Sequence, residues 1–339
     1  MKITIFGSGA WGTAISLLMD DNGHDVTIWS KFEDEANNLR NTRKNPLLRN
    51  VDIPGDIKIV SDIGLAARGA EVAVIAVPSY AVRETVESLR GRLEEGCVVA
   101  CMSKGIEKDT SSMFTGILKG ALGDLTPIAA VSGPTHAEEV ARRIPTACVA
   151  ASEDIAVAER VQGLLMNDYF RVYTTTDVVG VELGAALKNI IALCAGVCDG
   201  LGYGDNTMAM LMTRGLAEMA ELCVKMGGRK ETIAGLAGLG DLIVTCMSRH
   251  SRNRRAGVLI GKGRSVQEAM TEVGAVVEGY YAAAAARDLA MLMGADMPIC
   301  LEAYRVLFED KPPVMAMKEL MSRGKRREQS AGEETWVIK

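Results

Sequence analysis

The chain opens with a short apolar, β-branched run, Lys2–Phe6, that ends abruptly at a glycine cluster. Thr13–Asp21 then reads as a helix, Asn22-Gly23-His24 as a turn, and Asp25–Trp29 as a second strand. Strand, turn, helix and strand within about 30 residues is the size of a βαβ unit. Val72–Val77, Val98–Met102, Ile128–Val131 and Thr146–Ala151 are further predicted strands, with helical stretches between several of them. Such alternation implies a mostly parallel, doubly wound sheet with right-handed crossovers.

The pattern changes near residue 177. Asp177–Leu201 is one long apolar stretch rich in Gly and Ala, with Lys188 inside it. Helical patterns follow at Thr207–Met226, Lys230–Ala237, Ser251–Lys262, Ser265–Glu272, Glu278–Met293 and Pro298–Phe308, with no strand run of comparable quality. The expected fold is therefore α/β: an N-terminal Rossmann-type sheet, residues 1–176, then an all-helical domain, residues 177–322. The boundary is expected in Tyr169–Asp177, where Thr174-Thr175-Thr176-Asp177 offers N-cap chemistry for the long helix. The tail, 323–339, is polar and charged and is expected to be loosely ordered.

Composition narrows the function class. A chain of 339 residues suits about two domains. Apolar residues make up 48% but aromatics only 4%, so the cores must be built from Ala, Val, Leu, Ile and Met. A net charge of -5 argues against general nucleic-acid binding, which needs a basic domain. The eight cysteines are scattered, with no CxxC pair, and there are only three histidines, so no metal site is expected. The cysteines read as small buried hydrophobes in a reducing compartment. No signal peptide is visible and no uninterrupted apolar run approaches membrane-spanning length, so a soluble cytoplasmic protein is expected.

Gly7-Ser8-Gly9-Ala10-Trp11-Gly12 matches G-x-G-x-x-G. Gly7 permits the tight turn, Gly9 lets a pyrophosphate approach the backbone, and Gly12 lets the helix pack on the sheet. The helix N-terminus offers free N–H groups and a positive dipole end. The motif alone is weak and could be a structural turn; the strand before it and the helix and strand after it point to dinucleotide binding. An NAD site usually carries an acid about 20 residues on, at the end of the second strand. That strand ends Ile28-Trp29-Ser30-Lys31, and Glu33 and Asp34 come slightly late. Ser30 and Lys31 could instead hold a 2′-phosphate, which leans the reading toward NADP or dual use; Lys31 could equally be a solvated lysine.

Ligands of doubly wound sheets bind beyond the carboxyl ends of the strands. Lys104 lies just past the Val98–Met102 strand, and Ser132-Gly133-Pro134-Thr135-His136-Ala137 just past Ile128–Val131, both aimed at the same rim as the glycine turn. Lys188 sits in Gly184-Ala185-Ala186-Leu187-Lys188-Asn189-Ile190-Ile191, where burial is costly unless the lysine is paired or used. Desolvation lowers its pKa toward a range useful for general acid–base work, although a snorkelling surface lysine is the plainer alternative. Asp241, in Gly238-Leu239-Gly240-Asp241-Leu242, could pair with and orient Lys188. Ser251-Arg252-Asn253-Arg254-Arg255 could clasp a phosphate through guanidinium forks, or form a solvated basic helix.

With these motifs in view, the chain resembles the bacterial NAD(P)-dependent glycerol-3-phosphate dehydrogenases along nearly its whole length. Val181-Glu182-Leu183-Gly184-Ala185-Ala186-Leu187-Lys188-Asn189 and Gly238-Leu239-Gly240-Asp241-Leu242 are the most specific segments. The resemblance implies interconversion of dihydroxyacetone phosphate and sn-glycerol 3-phosphate with NAD(P)H, supplying the glycerol backbone of phospholipids. It implies Lys188 as proton donor and acceptor, and Lys104 as a contact to both cofactor and substrate. Gly133, Thr135, Asn189, Asp241, Thr245, Ser251, Arg252 and Asn253 would line the substrate pocket. Ala10, Trp11, Ala137, Arg252, Val276 and Glu278 would join the glycine turn, Ser30 and Lys31 at the cofactor. Thr135 stands where many members have Ser, and Ala10 where Ser is common, so a hydroxyl is kept at the first and lost at the second. A homodimer is implied by the family alone. Two rivals stay open: a dehydrogenase of hydroxy or sugar acids on the same plan, and a non-catalytic NAD(P)H sensor.

Overall fold

The structure is a computed structural model that describes residues 1–108, 110–325 and Glu328. Its sheet has eight strands: β1 (Lys2–Phe6), β2 (Asp25–Trp29), β3 (Lys58–Val60), β4 (Val72–Ile75), β5 (Val98–Cys101), β6 (Ile128–Ser132), β7 (Thr146–Ala151) and β8 (Phe170–Thr175). The order is β3-β2-β1-β4-β5-β6-β7-β8, parallel throughout except for the antiparallel β6–β7 pair. Strand order reverses between β1 and β4, and the crevice at their carboxyl ends is where such sheets take ligands. Ile3, Ile5, Val72, Val74, Val98 and Ala100 are buried on one face of the sheet, and Phe6, Ala73, Ile75 and Val99 on the other. Both faces are covered by helices, which is why these strands read as continuous apolar runs.

The helices of the first half are α1 (Ala10–Asp21), α2 (Glu33–Thr42), α3 (Ile63–Ala67), α4 (Val82–Ser88), α5 (Phe114–Leu122), α6 (Ala137–Val140) and α7 (Ile155–Leu165). No strand follows β8 among the described residues. The chain continues as α8 (Val178–Gly200), α9 (Asp205–Lys225), α10 (Lys230–Ala234), α11 (Asp241–Met247), α12 (Arg252–Gly261), α13 (Val266–Val273), α14 (Glu278–Met293), α15 (Pro298–Phe308) and α16 (Pro313–Ser322). The mostly parallel α/β sheet followed by helices is thus as the sequence implies.

The elements differ from the expectation in places. Strand β8 is not among the predicted strands; it pairs with β7 and alternates buried and exposed residues. The short β3 and the helices α11 and α16 carry patterns too brief or too polar to stand out in the sequence. The helix expected at Lys230–Ala237 stops at Ala234, because Gly235 is extended and a π-helical turn, Leu236–Gly240, takes over. α8 is long and apolar enough to cross a membrane, yet 83% of its most apolar window is buried inside the fold, as a core helix. The expected loose tail lies largely outside the described residues.

α8 is the axis of the helical half. Asp177 caps it, its carboxylate accepting from Gly180 N at 2.9 Å and from Arg229 N at 2.8 Å. Helix α12 packs on it through paired glycines. A Cβ at Gly257 would lie 2.0 Å from Leu193 O, and one at Gly196 would lie 2.0 Å from Arg254 O. Backbone-to-backbone contact of this kind needs residues without side chains. It brings the N-terminus of α12, with Arg252 and Asn253, beside the middle of α8, with Lys188 and Asn189.

Candidate active site

The glycine turn leaves β1 and enters α1. Gly7 has φ +131°, and a Cβ there would meet Ala76 O at 2.6 Å. A Cβ on Gly12 would meet Gly7 O at 1.9 Å, whereas one on Gly9 would meet nothing within 4 Å. Gly9 therefore faces open space, and it caps α1 without a side-chain bond to the first-turn N–H groups. Free helix-start N–H groups beside an open Gly Cα fit a dinucleotide pyrophosphate. Asn45, which sequence reasoning missed, holds this turn: its Nδ2 donates to Ser8 O at 2.8 Å and to Thr13 Oγ1 at 2.6 Å. Trp11 Nε1 donates to Met102 O at 3.2 Å, tying α1 to the end of β5.

At the adenosine end of the crevice, Ser30 is buried and Lys31 exposed. Lys31 Nζ donates to both oxygens of Glu84, at 2.6 Å each. Ser30 Oγ accepts from Ser8 Oγ at 2.9 Å and donates to Glu35 Oε2 at 2.5 Å. An acid does therefore reach the end of β2, brought back by the first turn of α2. Sequence spacing had passed over it.

At the other end, the ends of two strands and two helices converge on one carboxylate. Asp241 begins α11 straight after the π-helical turn, where Gly240 N donates to Gly235 O at 3.1 Å. Its Oδ1 accepts from Lys188 Nζ at 2.5 Å and its Oδ2 from Lys104 Nζ at 2.9 Å. Lys104 Nζ also donates to Gly133 O at 2.9 Å and Thr135 Oγ1 at 3.1 Å. Lys188 Nζ donates to Thr245 Oγ1 at 2.9 Å, one turn along α11 from Asp241. Ser132 Oγ at the end of β6 lies 3.4 Å from Asp241 Oδ2. The Asp241 side chain is 1% exposed, Lys188 6% and Lys104 18%.

Burial penalises the charged form of Lys188 and lowers its pKa from 10.5 to about 8. Asp241 pulls the other way, and Lys104 adds to the lowering. Burial pushes the Asp241 carboxyl up, but Lys104 and Lys188 outweigh it and hold it below its usual range. The cluster is thus a carboxylate shared by two ammonium groups, one of them close to losing its proton at neutral pH.

The remaining expected pocket residues are placed less uniformly. Asn253 and Asn189 bond each other, Nδ2 to Oδ1 at 2.9 Å, and Asn253 Oδ1 accepts from Gly279 N at 2.8 Å. The Ser251 hydroxyl is engaged as the N-cap of α12, accepting from Arg254 N at 3.2 Å. Arg252 is exposed and has no ion-pair partner among the described residues. Ala137 begins α6, and Val276 lies half-buried just before α14. Glu278 begins α14; it is half-buried, accepts from Ser79 N at 3.2 Å through Oε1, and has a buried Oε2 without a hydrogen bond. Burial raises its pKa, opposed by Ser79 and by nearby Arg252. A second missed acid, Glu182, accepts from Thr115 N at 3.0 Å and from Thr115 Oγ1, pinning α8 to the start of α5. Among the described residues no group of three or more His, Cys, Asp or Glu could hold a metal.

A Gly-rich turn at the switch point of a doubly wound sheet, facing a buried lysine–carboxylate cluster from a helical half, defines a nicotinamide-dinucleotide oxidoreductase. Comparison with known proteins narrows this. Residues 2–158 match the family described as NAD-dependent glycerol-3-phosphate dehydrogenase N-terminus, and residues 177–318 that described as its C-terminus. Glycerol-3-phosphate dehydrogenase (NAD(P)+) of Thermoanaerobacter sp. is 48% identical over 328 residues, 97% of this chain and 99% of that protein. The protein of that name from Clostridium perfringens is 45% identical over 329 residues, 97% of this chain and 99% of its own. The crystal structure of glycerol-3-phosphate dehydrogenase from Coxiella burnetii superposes with a TM-score of 0.92 at 36% identity, covering 95% of this chain and 99% of that one. The chain belongs to the NAD(P)-dependent glycerol-3-phosphate dehydrogenase family.

Proposed function

We propose that this chain reduces dihydroxyacetone phosphate to sn-glycerol 3-phosphate, and runs the reverse reaction, with Lys188 as the proton donor and acceptor. The observation that carries this is Asp241 bridging Lys188 and Lys104 in a buried site. When bound, the nicotinamide supplies the hydride to the substrate C2. The protein's own part is the proton and the charge. Lys104 and Lys188 place two positive groups where an alkoxide develops on the C2 oxygen, without reorganisation at the moment of reaction. Lys188 gives its proton to that oxygen. Its lowered pKa makes the transfer less uphill than from an ordinary ammonium. Asp241 keeps both amines in place and holds Lys188 protonated more than burial alone would allow.

The substrate phosphate goes to the start of α12. Arg252 presents its guanidinium there, and the helix dipole and first-turn N–H groups favour an anion. Asn253 and Asn189 form the floor. Thr135 and Gly133 reach the substrate beside Lys104, and Ala137, Val276 and Glu278 flank the nicotinamide. NADH and NADPH are both taken, with Ser30 and Lys31 favouring NADPH through its 2′-phosphate. The product would feed glycerophospholipid synthesis in the cytoplasm, where the eight free, largely buried thiols remain reduced. A homodimer is the proposed assembly, checked by light scattering.

The test is NAD(P)H consumption with dihydroxyacetone phosphate set against hydroxy acids and sugar acids. The proposal requires turnover with the phosphorylated ketone above all others. Faster turnover of a non-phosphorylated acid would move Arg252 to another role. Tight NAD(P)H binding with no turnover would mean a sensor.

A further inference from the structure

The end of β2 carries two opposed charges, and only Lys31 was visible from the sequence. Glu35 is the third residue of α2, and its side chain folds back over the helix start toward β2. A hydroxyl chain fixes it there: Ser8 donates to Ser30 at 2.9 Å and Ser30 donates to Glu35 Oε2 at 2.5 Å. Each hydroxyl has one hydrogen to give, so the direction of the chain ends on an accepting oxygen of Glu35. Glu35 Oε1 has no hydrogen-bond or ion-pair partner among the described residues. The chain starts in the glycine turn, so the carboxylate is locked to the element that receives the pyrophosphate. A ribose joined to that pyrophosphate is carried to the end of β2.

We propose that Glu35 is the residue that reads the adenosine ribose, accepting from a free 2′-OH and repelling a 2′-phosphate. It thereby opposes Lys31 and sets how far the site leans toward NADPH. An acid in this role normally stands at the strand tip. Here the tip is Ser30, and the acid arrives from the next helix with Ser30 as its support. Lys31 is the weaker of the two determinants. Its partner Glu84 and Lys31 itself are about half exposed, and an exposed pair of this kind is easily exchanged. Lys31 must leave Glu84 to meet a phosphate, whereas Glu35 Oε1 has no bond to give up. A 2′-phosphate brings up to about two negative charges, by analogy with other phosphomonoesters, and the Glu35 carboxylate repels it.

The inference rests on the dehydrogenase reading only for the use of NAD(P)H, and the test is arranged so that the two can fail separately. Calorimetric titration with NADH and with NADPH, without substrate, gives the ratio of the two Kd values for wild type, Glu35→Gln, Glu35→Ala and Lys31→Ala. Glu35→Gln keeps an oxygen to accept from Ser30, so the local hydrogen bond survives and only the charge goes. The ratio should move toward NADPH by about tenfold in Glu35→Gln, the worth of one hydrogen bond to a charged group. It should move the same way in Glu35→Ala and the opposite way in Lys31→Ala. The thermal midpoint of Glu35→Gln should stay at the wild-type value. An unchanged ratio in both Glu35 variants overturns the inference, as does a loss of affinity for both cofactors alike, which marks a structural role. If the ratio shifts but dihydroxyacetone phosphate is not turned over, the ribose-reading role stands and the proposed activity falls.

Discussion

The glycine turn and the lysine–aspartate cluster lie along the same carboxyl edge of the sheet and are made in different ways. The turn offers backbone: N–H groups at the start of α1 and an open face at Gly9. It is contiguous in sequence and gains its geometry from glycines that admit no Cβ. The cluster offers side chains: Lys104 from beyond β5, Lys188 from the middle of α8, and Asp241 and Thr245 from α11. Its members are 53 and 137 residues from Asp241 along the chain. Holding a dinucleotide needs shape and partial charge, which backbone supplies cheaply. Moving a proton needs an ionisable group with a shifted pKa, which requires burial, and burial needs a core assembled from distant segments.

This contrast predicts that the two regions separate under mutation. Lys188→Ala should give the largest effect. Turnover should fall about 100-fold or more, the usual contribution of a general acid, while the Kd for NADH stays near wild type. Stopped-flow reduction and calorimetry on the same preparation check both halves. A tenth or more of wild-type turnover would show that Lys188 is not the proton donor.

Gly257→Ala comes next, and it works through packing. The added methyl group has to displace Leu193 O, only 2.0 Å away, so α12 must shift off α8. Overpacking of this kind costs about 1–3 kcal/mol. The thermal midpoint should fall by several degrees. KM for the phosphorylated substrate should rise more than kcat falls, because Arg252 and Asn253 ride on α12. An unchanged melting curve would mean the α8–α12 contact is looser than described.

Thr245→Val should have the smallest effect. It removes the hydroxyl that accepts from Lys188 but leaves the Asp241 pair intact. One such hydrogen bond is worth about 1 kcal/mol, so turnover should drop roughly fivefold. A collapse comparable to Lys188→Ala would place Thr245 on the substrate itself.

Legibility in the sequence followed the same divide. β1, β2 and β7 fall where the apolar runs place them, because each run is flanked by turn residues, and β1 and β2 are also buried on both faces over most of their length. β8 escaped because Phe170–Thr175 is half-exposed, with polar residues interrupting the apolar run that marks the inner strands. Lys188 stood out because a charge in an apolar helix is locally anomalous. That Asp241 would serve Lys104 as well as Lys188 could not be read, since only the tertiary fold brings the end of β5 to the start of α11. Glu35 was missed for a simpler reason. The expected acid was sought on the strand, whereas a helix start one loop later returns a carboxylate to the same point. Asn45 carries no motif, and Glu182 lies inside the specific 181–189 segment but had no role read into it; the signal of both is their burial, which sequence does not show.

The central claim is that Lys188 is a proton donor tuned by burial and by Asp241. It is tested most directly by the pH dependence of kcat/KM for dihydroxyacetone phosphate in wild type and Asp241→Asn. The profile of kcat/KM reports groups of the free enzyme. Reduction needs protonated Lys188, so the wild-type rate should fall as pH rises through about 8, and oxidation of sn-glycerol 3-phosphate should rise over the same range. Asp241 raises the Lys188 pKa, so removing its charge must lower it. The descending limb for reduction should therefore move to lower pH in Asp241→Asn, together with a loss of rate below it. A limb that stays in place, or moves to higher pH, would contradict the account.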